Sequence, residues 1–388
     1  MQKGKYKNVV IIGIDSLRYD SFLNGMRKNY FNSDEYKVGK MYVQSGPTAP
    51  SQSTIISGEE TIEGQGYNYG VKFRRQTIFE LLQKIGYNTI GISCCAWLGR
   101  HFGYDRGMNT FIENYPRKSL NENIEILKKD FLTFQKFDEI EKLNKAVTST
   151  ASLRETDLET NRYHNNVMHQ DNGYENHGYC RKKYLQNFKR IFPSIDETLQ
   201  ILLSKKSTFT SQNVIWFTVQ EIHELYFFDP PSNSPISKIR YFIYILYWRI
   251  LYRNFIKIAY RKSVTYTMKK IERLIDQHFG DYLVIIYSDH GFNLNDFSDK
   301  LNAFSSDLKY LTVPLVVRAP YKVSEVKSNF EIKSQDFLIF AKELIESGKI
   351  APRHFDKIGG FFCCHGTPGA LLPNEKPIFK KYIDLSKS

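Results

Sequence analysis

Apolar residues along this chain fall into two kinds of run. Continuous, β-branched runs occur at 8–14 (NVVIIGI), 87–94 (YNTIGISC), 213–219 (NVIWFTV), 282–287 (YLVIIY) and 311–318 (LTVPLVVR). Runs of that length without polar alternation predict strands buried on both faces, as in a parallel sheet. Pro314 in the last run argues for an edge or strand-start position. Helical spacing covers 75–85, 264–277 and 335–347, and Gly86 is placed to stop the first of these. Strand, helix and strand in close succession predict βαβ units and an α/β sandwich with a mostly parallel central sheet. Residues 112–210 interrupt this pattern. They are polar, with a helical stretch at 122–145, and 150–180 has no period and reads as a long loop or lid.

Composition narrows the class. The 388 residues are 41% hydrophobic and 24% charged, which suits a globular chain with one large domain carrying insertions, or one large and one small. The net charge of +13 favours anionic partners such as phosphate or sulfate esters or anionic lipid surfaces. No nucleic-acid-binding module is visible, so nucleic acid is not expected. The first 20 residues lack the pattern of a secretory signal. No stretch reaches the roughly 18 uncharged apolar residues of a membrane span. Five cysteines, two pairs of them adjacent, suggest no disulfide framework. The expectation is a cytoplasmic protein, peripheral at most at the inner face of a membrane. Residues 239–262 carry that last possibility. They are rich in aromatics, with Arg249, Arg253, Lys257 and Arg261 four apart on one helical face. Such a helix suits an anionic membrane surface, a packed core helix or a homodimer interface.

Three of the predicted strands end in residues of ligand type. The first ends at Asp15, the fourth at Asp289 and His290, and the third runs into Glu221 and His223. In parallel α/β sheets, sites form beyond the carboxyl ends of the strands. Two carboxylates and an imidazole suit a divalent cation, although each acid alone also reads as a helix cap. Residues 46–58 (GPTAPSQSTIISG) form a proline-bearing loop followed by small residues that can start a helix. A hydroxyl there would lie beside free N–H groups, which favours attack on an anionic centre; it would equally serve as a plain N-cap. By chemistry alone Thr48, Ser51, Ser53 and Thr54 are all candidates.

The order of these pieces resembles the sulfatase branch of the alkaline phosphatase superfamily. The matching segments are IIGIDSLRYD, TAPSQSTIISG, GYNTIGISCCAWLGRHFGYDRGMNTF, EIHELY, YSDHG and LTVPLVVRAP. The resemblance implies an alkaline-phosphatase-like three-layer α/β/α sandwich. Its catalytic domain would span 1–325, with insertions at about 112–210 and 232–262, and 326–388 would pack on it as a C-terminal extension. It implies that Asp15, Asp289, His290 and the Thr48 oxygen hold one divalent ion (Zn, Mn, Mg or Ca), with room for a second at Glu221, His223 and His365. Thr48 falls on the nucleophile position, with Pro50, Ser51 and Gly58 in register. His223 would hold the substrate oxygens or protonate the leaving group. Arg18, Ser51 and His365 are the candidate substrate contacts, and Lys309 is the nearest candidate for the family's active-site lysine.

Four positions depart from the family pattern. Thr48 replaces Cys or Ser, Gln52 replaces Arg, Ser16 replaces a second Asp, and Phe292 replaces the Glu after SDHG. Threonine cannot become the formylglycine of ordinary sulfatases, but it is similar to the nucleophile of members that cleave or transfer phosphodiesters. The expected function is a metal-dependent hydrolase or transferase of phosphate or sulfate esters working through Thr48, on a lipid head group or surface glycan. The alternative is a non-catalytic protein of the same fold that binds anionic glycans or lipids.

Overall fold

The structure is a computed structural model that describes residues 5–26, 30–31, 34–44, 48–59, 75–115, 193–223, 257–258, 260–292, 308–320, 330–349, 357–363 and 378–384. The elements in chain order are β1 (Asn8–Ile14), α1 (Tyr19–Met26), β2 (Tyr36–Tyr42), α2 (Thr48–Ser57), α3 (Ile78–Lys84), β3 (Asn88–Ser93), β4 (Thr110–Glu113), α4 (Ile195–Ser204) and β5 (Asn213–Val219). Next come helix α5 over 260–278, then β6 (Leu283–Ser288), the short α6 (Leu308–Leu311), β7 (Thr312–Arg318), β8 (Glu331–Lys333) and α7 (Phe337–Ser347). Strands β9 (Lys357–Cys363) and β10 (Ile378–Asp384) pair with each other in a separate antiparallel ribbon. The expected helix at 122–145, the loop at 150–180 and most of the basic aromatic segment lie outside the described residues.

An eight-stranded sheet runs in the order β4-β3-β5-β1-β6-β7-β2-β8. β1 lies at its centre, parallel to β5 and β6. β3 extends the parallel array to β4 on that side. β7 is antiparallel to both its neighbours, and β8 closes the sheet parallel to β2. Pro314 therefore sits in an interior strand, not at an edge. The ladder to β6 stops at Leu315, one residue short of Pro314, so the missing N–H interrupts no pairing on that side.

Alternating residues of β1 feed two cores. Val9 and Ile11 pack with Ile55 and Ile56 of α2, Phe79 and Leu82 of α3, and Phe340 and Leu344 of α7. Val10, Ile12 and Ile14 pack with Phe22 of α1, Leu202 of α4, and Val264, Met268 and Ile271 of α5. Helices thus cover both faces, giving the three-layer α/β/α sandwich. Burial of each such side chain contributes about 1.5–3 kcal/mol. That explains why β1 is a continuous apolar run rather than an alternating one.

Local signals set the helix ends. Thr77 caps α3 by accepting from the Glu80 amide while Glu80 returns a bond to the Thr77 amide. Ser194 and Glu197 make the same reciprocal box at α4. Among the described residues no helix is long and apolar enough to cross a membrane.

Candidate active site

Because β1 and β6 are parallel neighbours with Ile14 opposite Ser288, their next residues, Asp15 and Asp289, emerge side by side. β5 flanks β1 on the other side, and its Val219 carbonyl accepts from the Asp15 amide at 2.9 Å. The chain leaving β5 then brings His223 to the same place. α2 begins at Thr48 above these strand ends, and Ser51 in its first turn donates to the Asp289 carbonyl.

The side chains converge. Thr48 Oγ1 donates to Asp15 Oδ2 at 3.1 Å and lies 3.2 Å from His290 Nε2. His290 Nε2 is 3.4 Å from Asp15 Oδ1 and 3.8 Å from Asp289 Oδ2. The other ring nitrogen, Nδ1, is 2.9 Å from the Gly291 carbonyl; since a carbonyl only accepts, Nδ1 carries the proton and Nε2 keeps its lone pair. Asp289 Oδ1 accepts from the amides of Ser16 at 3.2 Å and His290 at 2.8 Å. His223 Nδ1 is 3.2 Å from Asp15 Oδ1, and its side chain is 44% exposed, marking the open side of the site.

The electrostatics are those of a centre short of positive charge. Burial, and then the neighbouring Asp15 carboxylate, push Asp289 well above the usual carboxylate range. Burial would push Asp15 up as well. His223, by charge and hydrogen bond, and His290 outweigh it and hold Asp15 well below that range. Burial lowers His290 below the ordinary imidazole value against the pull of Asp15.

These residues fit a divalent cation. Asp15, Asp289 and His290 are all buried, and each offers a donor atom within 4.8 Å of the others. Asp289 Oδ2 is buried with no hydrogen-bond partner, an arrangement expensive for a carboxylate unless a cation satisfies it.

The remaining candidates go elsewhere. Ser51 is fully buried, spending its hydroxyl on the Asp289 backbone. Arg18 bonds Asp20 through Nε at 2.9 Å and through Nη2, and reaches the Phe292 carbonyl at 3.5 Å. Glu221 was expected beside His223 in a second metal set. It instead accepts from the Ile195 amide at 2.6 Å, a buried carboxylate at the first turn of α4, and His223 joins Asp15. Lys309 is exposed on α6. His365 lies outside the described residues.

The departures from the family pattern have local explanations. The Tyr287 hydroxyl donates to Gln52 Oε1 at 2.8 Å and accepts from Trp216 Nε1 at 3.1 Å, a buried neutral chain beneath α2. Phe292 is half-buried and packs against the core and the Tyr260 ring. Ser16 is a participant that sequence reasoning treated only as a missing Asp. Its hydroxyl donates to Asp15 Oδ1 at 2.7 Å and is 3.1 Å from His223 Nδ1. Its place directly after a strand-end ligand was the available signal.

A family model described as Sulfatase matches residues 7–341. No curated protein matches the chain. Among solved structures, phosphonate monoester hydrolase SpPMH from Silicibacter pomeroyi is 14% identical with a TM-score of 0.52, over 98% of this chain and 89% of that one. The zinc complex of the C-terminal periplasmic domain of EcEptC from Escherichia coli is 9% identical with a TM-score of 0.50, over 99% and 96%. BT4656, in complex with its substrate D-glucosamine-2-N,6-O-disulfate, is 12% identical with a TM-score of 0.51, over 99% and 92%. At these identities the likeness is one of fold. The family model spans most of the sequence, and the chain belongs to the sulfatase family.

Proposed function

We propose that this protein is a metal-dependent hydrolase or transferase of phosphate or sulfate esters with Thr48 as its nucleophile. The observation that carries the reading is the Thr48 hydroxyl, at the start of α2, within 3.1 Å of Asp15 and 3.2 Å of His290. Asp15, Asp289 and His290 would hold the ion, with Thr48 Oγ1 beside them; oxygen and imidazole donors admit Zn, Mn, Mg or Ca. A divalent ion there supplies positive charge that lowers the hydroxyl pKa and screens an anionic ester.

The chain's own groups do the rest. Asp15, kept ionised, accepts the Thr48 hydrogen bond and orients the hydroxyl. Thr48, its proton released to solvent, attacks phosphorus or sulfur in line through Oγ1, the bond to the ester oxygen breaks, and the group is left on threonine. His223, on the open side, holds the substrate oxygens or protonates the departing alcohol. Water then releases the group in hydrolysis, or an acceptor alcohol does so in transfer. Threonine chemistry favours a phosphodiester, with a lipid head group or surface glycan as the natural source. A cytoplasmic setting is proposed from the unpaired, buried Cys94 and Cys95; cell fractionation decides between that and a compartment like that of the EcEptC domain.

The test combines metal content by mass spectrometry with turnover of a phosphomonoester, a phosphodiester and a sulfate ester. Wild type is expected to carry stoichiometric metal that Asp289→Ala loses, and Thr48→Ala is expected to lower phosphodiester turnover by about a thousandfold or more. Sulfate-ester turnover that depends on Thr48 would move the substrate class but keep the mechanism. A wild-type protein with neither metal nor turnover would sink the catalytic reading and leave the binding protein.

A further inference from the structure

We infer that Tyr260 is a positioning residue for the metal centre, holding the turn after β1 in a backbone conformation it would not otherwise keep. The inference rests on the reading of Asp15 as a metal ligand.

Ser16, directly after Asp15, has φ +68. A non-glycine residue in that region is strained and persists only where its surroundings over-determine it. Here they do. The Ser16 amide donates to Asp289 Oδ1 at 3.2 Å, and the Leu17 amide donates to Ser288 Oγ at 2.8 Å. The Arg18 amide donates to the Tyr260 hydroxyl at 2.9 Å, and that hydroxyl donates to the Ser16 carbonyl at 2.8 Å. One phenol thus closes the turn across both of its ends. Asp289 and Ser288 belong to β6 and its end, so they reach the turn from within the sheet. Tyr260 reaches it from α5, in the helical layer. Its side chain is fully buried, and its ring lies 5.1 Å from that of Phe292.

Loss of the phenol oxygen strips two backbone groups of a partner. The turn can then relax toward negative φ, which moves the Ser16 amide away from Asp289 and the Asp15 carboxylate away from His290. Groups that orient metal ligands in this way typically change metal affinity by about 10- to 100-fold.

The experiment uses the full chain, stripped of metal, as wild type, Tyr260→Phe and Tyr87→Phe. Zn²⁺ and Mn²⁺ dissociation constants are measured by equilibrium dialysis, and melting temperatures are recorded in parallel. Tyr87 is a matched control. It is buried, its hydroxyl donates to the Tyr6 carbonyl, and it precedes β3 at the opposite end of the sheet. The expected result is a metal dissociation constant raised about tenfold or more in Tyr260→Phe, unchanged in Tyr87→Phe, with both proteins less thermostable. In a Ser16→Gly background, where positive φ carries no strain, the effect of Tyr260→Phe on metal affinity is expected to shrink. If Tyr260→Phe alone does not fold, the doubly substituted protein is compared with Ser16→Gly alone: metal affinity within about threefold supports the role, and a loss of about tenfold or more overturns it. Wild-type affinity in Tyr260→Phe, equal weakening in Tyr87→Phe, or an undiminished effect in the Ser16→Gly background overturns the role of Tyr260. Wild type that binds neither ion overturns the metal reading itself, and this inference with it.

Discussion

Asp15 and Asp289 occupy one buried space, and their environments pull them apart: one is held ionised by histidines, the other is pushed toward its neutral form by burial and by its partner. This asymmetry has a pH signature in the metal-free protein. Asp289 has a raised folded pKa, so its contribution to stability is present below the ordinary carboxylate value near 4 and is lost as pH rises through the folded value. Asp15 contributes in the opposite sense, above its unfolded value, and that contribution is constant from about pH 5 upward. Asp289→Asn should therefore stabilise the EDTA-treated protein by about 1–3 kcal/mol at pH 8 and by much less at pH 5. The same variant should lose its metal. Melts at the two pH values check this, and a variant less stable than wild type at pH 8 would refute the account. At this scale the sequence was informative wherever a candidate ligand follows a strand. Asp15, Asp289 and His290 stand at the ends of apolar runs, and Thr48 at a recognisable loop-to-helix start. Ser16 was signalled only by its place after a strand-end residue, and its positive φ not at all; Tyr260 was not legible as part of the site, because a hydroxyl contact across 244 residues leaves no periodicity.

At the scale of elements, β1 shows how closely the layers meet beneath the site. A Cβ on Gly13 would lie 2.9 Å from the Tyr287 hydroxyl and 3.4 Å from Gln52 Nε2. Gly13→Ala should displace the Trp216–Tyr287–Gln52 chain and destabilise the protein by about 1–3 kcal/mol. Denaturant unfolding with Trp fluorescence reads both effects; an alanine accommodated without loss of stability would show that Tyr287 can step aside. Strands with continuous apolar runs (β1, β3, β5, β6 and β7) were legible because burial on both faces removes polar alternation. β2 was not. Its YKVGKMY carries two lysines, and Lys40 is balanced by Glu331 of β8 at 2.9 Å, a partner that only the folded sheet supplies. β8 has three residues, too few for any pattern. Pro314 misled in the other direction, since a proline rule about edges does not know where a ladder stops.

The whole molecule carries a charge of +13, and the cations at 249, 253, 257 and 261 form one sequence stripe. A surface of that sign should draw the chain to anionic bilayers. The full chain is expected to sediment with phosphatidylglycerol vesicles at low ionic strength and to be released by about 0.5 M salt. Arg249→Glu with Arg253→Glu should abolish sedimentation, and retention of binding by that double variant would rule the stripe out as the contact.

The sheet order has a consequence for the making of the protein. β1, which carries Asp15, precedes the other described strands in the chain and lies at the centre of the sheet, yet β5, one of its two partners, begins 205 residues downstream, counted from Asn8 to Asn213. At roughly 5–20 residues per second on the ribosome, NVVIIGI waits about 10–40 s for its first neighbour. Throughout that interval it is an apolar strand with both edges open, a ready template for another nascent chain. The segment that anchors the finished candidate site is thus also among the most vulnerable during translation.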